Sequence, residues 1–230
     1  MNSRTAVLEI VHSIKDFLFP PACPLCEGML TDDEILCSTC IDTFAEEALH
    51  YKPPDRMMES VDLISVLLPY DSSCRTIVHA LKYHGMPSLG FVLGRLMAMK
   101  TLKDRNISEN TFLIPVPLHP VKLKERGYNQ SEYLARGFAS FSPYEVRTNL
   151  LRRTRKTETQ TALDHKERAE NVRNAFVYSG KKTLSGYGVI LIDDVMTTGS
   201  TMAACVQALK DGGAGNIAIS VLATPDMGSE

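Results

Sequence analysis

The chain has 230 residues, 44% of them hydrophobic and 23% charged, with a formal net charge of −2. That composition excludes a disordered or fibrous polymer, and no apolar run reaches the roughly 18 residues that a membrane-spanning helix needs. The charge is unevenly spread: residues 1–50 hold two bases against nine acids, a net of −7, whereas residues 51–230 hold 23 bases against 18 acids, a net of +5. An acidic front and a mildly basic body suggest two units with different partners.

In chain order, Val7, Val11, Ile14 and Leu18 share one side of a short amphipathic helix that Pro20 and Pro21 end. Glu9, His12, Lys15 and Asp16 break every apolar core that a signal peptide would need, so a cytoplasmic location is expected. Four cysteines follow, Cys23, Cys26, Cys37 and Cys40, spaced C-x2-C-x10-C-x2-C. Each C-x2-C knuckle aims two thiolates at one centre, and two knuckles complete a tetrahedral site for structural Zn2+ with no position left open for catalysis. A disulfide pair and an iron–sulfur cluster are the alternatives; a cytosolic setting disfavours the first, and the spacing does not match ferredoxin-type runs. The surrounding acids would repel a nucleic-acid backbone, which favours docking to another protein. Cys74 and Cys205 stand alone in helix-like segments and read as buried thiols.

A second short helix is expected over Ile41–Leu49, and Lys52-Pro53-Pro54-Asp55 is the best domain boundary. This divides the chain into a zinc-ribbon module at 1–52 and a larger domain at 55–226. In the larger domain, strands are expected at 61–70, 112–117, 175–178, 189–192 and 217–224. Helices are expected at 74–83, 89–100, 129–138 and 200–210. Continuous apolar strands alternating with helices argue for an α/β fold with a mainly parallel sheet flanked by helices. Residues 151–174 fit neither template; with seven Arg or Lys and four Thr they read as a functional loop or hairpin.

The most informative stretch is VILIDDVMTTGST, residues 189–201. In a parallel sheet ligands bind at the carboxyl ends of strands, where Asp193 and Asp194 stand. Thr197, Thr198, Gly199, Ser200 and Thr201 then open a helix, and small side chains with a helix N-terminus suit a phosphate. The acids would repel that phosphate, but they would accept hydrogen bonds from the 2′ and 3′ hydroxyls of an attached ribose. A Walker-type site and a Rossmann site lack their partner motifs, because neither G-x4-G-K-[ST] nor G-x-G-x-x-G occurs in the chain; an ordinary strand–turn–helix is the third alternative.

VILIDDVMTTGST resembles the 13-residue phosphoribosyl-pyrophosphate (PRPP) motif of type I phosphoribosyltransferases. IPVPLHP followed by RGYNQSEYLA is similar to the pyrophosphate-loop region of that family, and the basic stretch at 152–161 stands where its catalytic hood would be. Together with the four cysteines, LKYHG (81–85), RGYNQ (126–130) and R-x-T-x-x-Q-x-x-L (155–163) resemble the ComF family of competence-associated proteins. The resemblance implies a type I phosphoribosyltransferase-like fold with an N-terminal zinc ribbon. It implies ribose contacts from Asp193 and Asp194, phosphate contacts from Thr197 to Thr201, and Leu118, His119 and Arg126 near pyrophosphate, with Mg2+ accompanying PRPP. Arg153, Arg155 and Lys156 would belong to the hood; His119 reads as a loop residue rather than an acid–base catalyst. The activity implied is transfer of ribose 5-phosphate to an acceptor that the sequence does not identify. A second reading is a non-catalytic PRPP sensor serving DNA uptake. It would bind single-stranded DNA through the basic loop with Tyr128 and Tyr133, or dock a competence helicase or other uptake protein through the acidic front.

Overall fold

A computed structural model describes residues 22–23, 25–31, 35–50, 61–83, 86–103, 107–154 and 175–225. The expected helix near the N-terminus, the boundary at 52–55, and Arg155 and Lys156 lie outside the described residues. The sequence-predicted alternation is present, with boundaries moved by a few positions. Helix α1 (Ser38–His50) starts inside the last cysteine pair and carries Cys40 in its first turn, ahead of the expected start at Ile41. Strand β1 (Leu63–Pro69) leads to α2 (Ser72–Tyr83) and α3 (Pro87–Leu102). Then come β2 (Thr111–Pro115), α4 (Pro120–Arg126), α5 (Gln130–Ala139), β3 (Glu145–Val146) and β4 (Leu151–Arg153). The order closes with β5 (Phe176–Tyr178), β6 (Gly188–Val195), α6 (Ser200–Asp211) and β7 (Ile217–Thr224).

Five strands form one parallel sheet in the order β1-β7-β6-β2-β3. Every residue of β7 is buried, as its unbroken apolar run requires of an interior strand covered on both faces. Alternate residues of β6 feed two cores. Ile190 and Ile192 join the face covered by α2, α3 and α5, while Val189 and Leu191 join the face covered by α6. The first core also takes in Cys23, Leu36 and Phe44, so the cysteine module packs against the sheet domain. The expected strand at 175–178 does form, but outside the main sheet: β5 pairs antiparallel with β4 in a separate two-stranded sheet. Helix α4 and strand β3 were not expected from the pattern, being too short to show a period, whereas β4 lies in the stretch read as a loop or hairpin.

Two glycines fix how close α3 and α5 come. A Cβ on Gly94 would lie 2.1 Å from the carbonyl oxygen of Leu134, and one on Gly137 would lie 2.0 Å from that of Phe91. The two backbones therefore touch, which sets the depth at which the N-terminus of α5 meets the sheet. Among the described residues, no helix is long and apolar enough to cross a membrane.

Candidate PRPP site

The sequence-predicted acids lie inside β6, one and two positions before its end, with Asp193 8% exposed and Asp194 4%. Two buried carboxylates side by side need compensation, and the structure supplies a different partner for each. The Ser131 hydroxyl donates to Asp193 Oδ1 at 2.7 Å. The Lys82 ammonium lies 2.6 Å from Asp194 Oδ2, and the backbone N–H of Val195 donates to Asp194 Oδ1 at 2.8 Å. Burial, reinforced by the neighbouring Asp194, pushes the Asp193 carboxyl up to about 7, against the opposing pull of the Ser131 hydrogen bond. Burial alone would lower the Lys82 ammonium; Asp194, with Asp193 behind it, outweighs that and raises it.

After β6, Gly199 adopts φ 78°, the left-handed region that disfavours a side chain, and turns the chain into α6. Thr198 and Ser200 share a hydroxyl contact at 3.0 Å beside that turn. The first-turn N–H groups of α6 have no intrahelical acceptor and present the positive end of the helix to the loop 197–201. The base of the loop is held from the far side, where Thr224 Oγ1 donates to the Met196 carbonyl at 2.8 Å.

The other wall is cationic. The α4 segment brings Lys122 and Arg126, α2 brings Lys82, and β4 brings Arg153. Burial lowers the Lys122 ammonium, and repulsion from Arg153, Arg126 and Lys82 adds to it, so Lys122 stands within electrostatic reach of the other three cations. Burial likewise lowers the Arg153 guanidinium, which sits 5.3 Å over the Phe176 ring. Leu118 and His119 lead into α4. The His119 Nδ1 accepts the Val121 N–H at 3.3 Å as the helix cap. Arg126 lies 5.4 Å over the Tyr83 ring and donates to Gln130.

The structure thus brings Asp193, Asp194 and Arg126 into the same neighbourhood and adds Lys82, Lys122 and Ser131, to which the sequence reading gave no role. Lys82 and Ser131 did sit within or beside quoted motifs, LKYHG and RGYNQ; their pairing with the acids is a long-range contact with no local signal. The expected stacking tyrosines are committed elsewhere: Tyr128 donates its hydroxyl to the Leu81 carbonyl and sets its ring edge-on to Tyr133 at 5.7 Å.

The sulfurs of Cys23, Cys26, Cys37 and Cys40 all lie within 4.8 Å of one another. A tetrahedron with Zn–S of ~2.3 Å has edges of ~3.8 Å, so the four thiols fit a zinc ion. The knuckle is shaped by Cys23 N–H donating to the Gly28 carbonyl at 2.8 Å and Glu27 N–H to the Cys23 carbonyl at 2.9 Å.

Residues 124–229 match the model of the phosphoribosyl transferase domain. The DNA utilization protein YhgH of Escherichia coli K12 is 28% identical over 202 residues, covering 86% of this chain and 81% of that protein. Competence protein F of Haemophilus influenzae is 27% identical over 191 residues, covering 81% of this chain and 83% of its own length. Competence protein ComFC of Bacillus subtilis is 30% identical over 102 residues, 44% of this chain and 39% of that protein. The chain is thus similar to DNA-utilization and competence proteins over most of its length. The acid pair, the loop 197–201 and Arg126 fall within the matched domain. The cysteine cluster, Lys82, Leu118, His119 and Lys122 precede it.

Proposed function

We propose that the chain binds PRPP with Mg2+ and transfers its ribose 5-phosphate to an acceptor as part of DNA handling in natural transformation. The observation that carries this reading is the junction of a buried acid pair, with Lys82 on Asp194, and a left-handed glycine turn into α6. Asp193 and Asp194 accept from the ribose hydroxyls, and the loop 197–201 with the N-terminus of α6 holds the 5′-phosphate. Lys82, Lys122, Arg126 and Arg153 face the pyrophosphate. Departure of pyrophosphate leaves positive charge at the anomeric carbon, so the chain contributes by fixing the ribose and by neutralising the leaving group. Among the described residues the cysteine cluster is the one group of three or more metal-type side chains. Mg2+ would accompany the diphosphate of PRPP and would supply charge neutralisation there. In the cysteine cluster Zn2+ has a structural role, and four reduced thiols suit a cytoplasmic setting. The names of the competence relatives support the biological role.

Calorimetry of Mg–PRPP binding, followed by a pyrophosphate-release screen over candidate acceptors, tests the reading. Wild type should bind, and Asp193→Asn with Asp194→Asn should abolish binding. Unchanged affinity in that double variant would sink the site assignment.

A specific feature favours a second reading, PRPP-controlled binding of single-stranded DNA. The exposed face of α2 carries Arg75, His79 and Tyr83. The His79 and Tyr83 rings lie 4.9 Å apart, Arg126 covers Tyr83, and Tyr83 is 66% exposed. Alternating rings and cations can stack bases and follow phosphates. Tyr83→Ala should weaken oligonucleotide binding about tenfold at low salt; binding that ignores both this change and salt would dismiss the face. The acidic cysteine module, repelled by DNA, would be the surface for an uptake helicase or other uptake protein.

A further inference from the structure

Three consecutive residues at the start of α5 each reach a different part of the site. Asn129 caps the helix, its side-chain oxygen accepting Ser131 N–H at 3.2 Å, while its amide donates at 3.0 Å to the carbonyl of Val116, just past the end of β2. Gln130, 4% exposed, accepts from the Arg126 guanidinium. Ser131, fully buried, donates to Asp193. Three polar side chains packed into one helix end are costly unless each is engaged, and here each is engaged with a different element. The close approach of α3 and α5 at Gly94 and Gly137 holds the body of that helix against α3.

We infer that Ser131 and Gln130 are positioning residues with separate duties: Ser131 orients Asp193 for the ribose, and Gln130 orients Arg126 for the pyrophosphate. Asn129 locks the helix end that carries both. This rests on the PRPP reading of the same site. The physical reason for separation is that the two hydrogen bonds end on different groups. The Ser131 bond takes one carboxylate oxygen, fixing the direction of the other. The Gln130 bond takes one guanidinium nitrogen, fixing the plane of the fork. Neither side chain needs to touch the ligand to act.

The separation is testable because three probes sample different parts of the site: Mg–PRPP, Mg–pyrophosphate and ribose 5-phosphate. Their dissociation constants are measured by calorimetry on the full-length, zinc-loaded chain. Ser131→Ala should weaken PRPP and ribose 5-phosphate about tenfold and leave pyrophosphate within about twofold, with Ser131→Thr recovering most of the loss. Gln130→Ala should weaken PRPP and pyrophosphate by a similar factor and spare ribose 5-phosphate. Equal weakening of all three probes in either variant would mean that the residue only supports the fold, and the inference falls. No change in any probe overturns it equally. Wild type that binds none of the probes would refute the PRPP reading itself, and this division with it; wild type that binds them, with variants that do not discriminate, refutes the division alone.

Discussion

Replacing Lys82 with Met would remove the cation 2.6 Å from a carboxylate whose side chain is only 6% exposed. Stranding one member of a buried pair costs about 3–5 kcal/mol. Lys82 is itself 23% exposed, so some of the pair's attraction is already screened and the lower end applies. A loss of about 3 kcal/mol at pH 7 follows. The chain has no tryptophan, so urea unfolding is followed by far-ultraviolet circular dichroism. Adding Asp194→Asn to Lys82→Met should recover most of the loss, because no charge is then stranded. A Lys82→Met deficit under about 0.5 kcal/mol, or no recovery in the double variant, would refute the view that Lys82 compensates Asp194.

Further outcomes follow from other parts of the molecule. Gly137→Ala should destabilise by about 2–3 kcal/mol despite the better helix propensity of Ala, because its Cβ meets a backbone carbonyl that cannot rotate away; a neutral effect on the unfolding curve would argue against the close helix crossing. Asp193, held at about 7 instead of its ordinary 3.8, carries a proton in the folded state that the unfolded chain releases between about pH 4 and 7. Stability should therefore fall by about 2–4 kcal/mol as pH rises across that window, and Asp193→Asn should flatten the dependence in urea titrations. Mg–PRPP affinity should rise between pH 6 and 8, since the ionised carboxylate is the better acceptor; calorimetry in buffers of different ionisation enthalpy should show proton release. Purified protein should carry about one zinc per chain by elemental analysis, and Cys26→Ser should lose it. Because Leu36 and Phe44 pack from this module onto the sheet domain, metal removal should also expose apolar surface to a hydrophobic dye. Retained metal in Cys26→Ser would contradict the four-thiol site.

The sequence by itself determined whatever is written locally. The run VILI, the two acids and the small residues after them specify strand, turn and helix in one stretch, because each depends on neighbours a few positions away. The cysteine spacing specifies a knuckle pair for the same reason. Fold class was legible from long apolar strands alternating with helices, and short pieces such as Pro120–Arg126 and Glu145–Val146 were not, being shorter than the periods that reveal them. Only the tertiary structure decided which residues answer the two acids. Lys82 and Ser131 stand more than a hundred and about sixty positions from Asp194 and Asp193, and they are brought there by α2 and α5 packing on the same face of the sheet. It also decided that the Tyr128 hydroxyl is spent on the Leu81 carbonyl while the Tyr83 ring is exposed. Burial is the reason for both. Whether a carboxylate is half-neutral or paired, and whether a ring is packed or open, depends on what folds over it, and no local pattern carries that information.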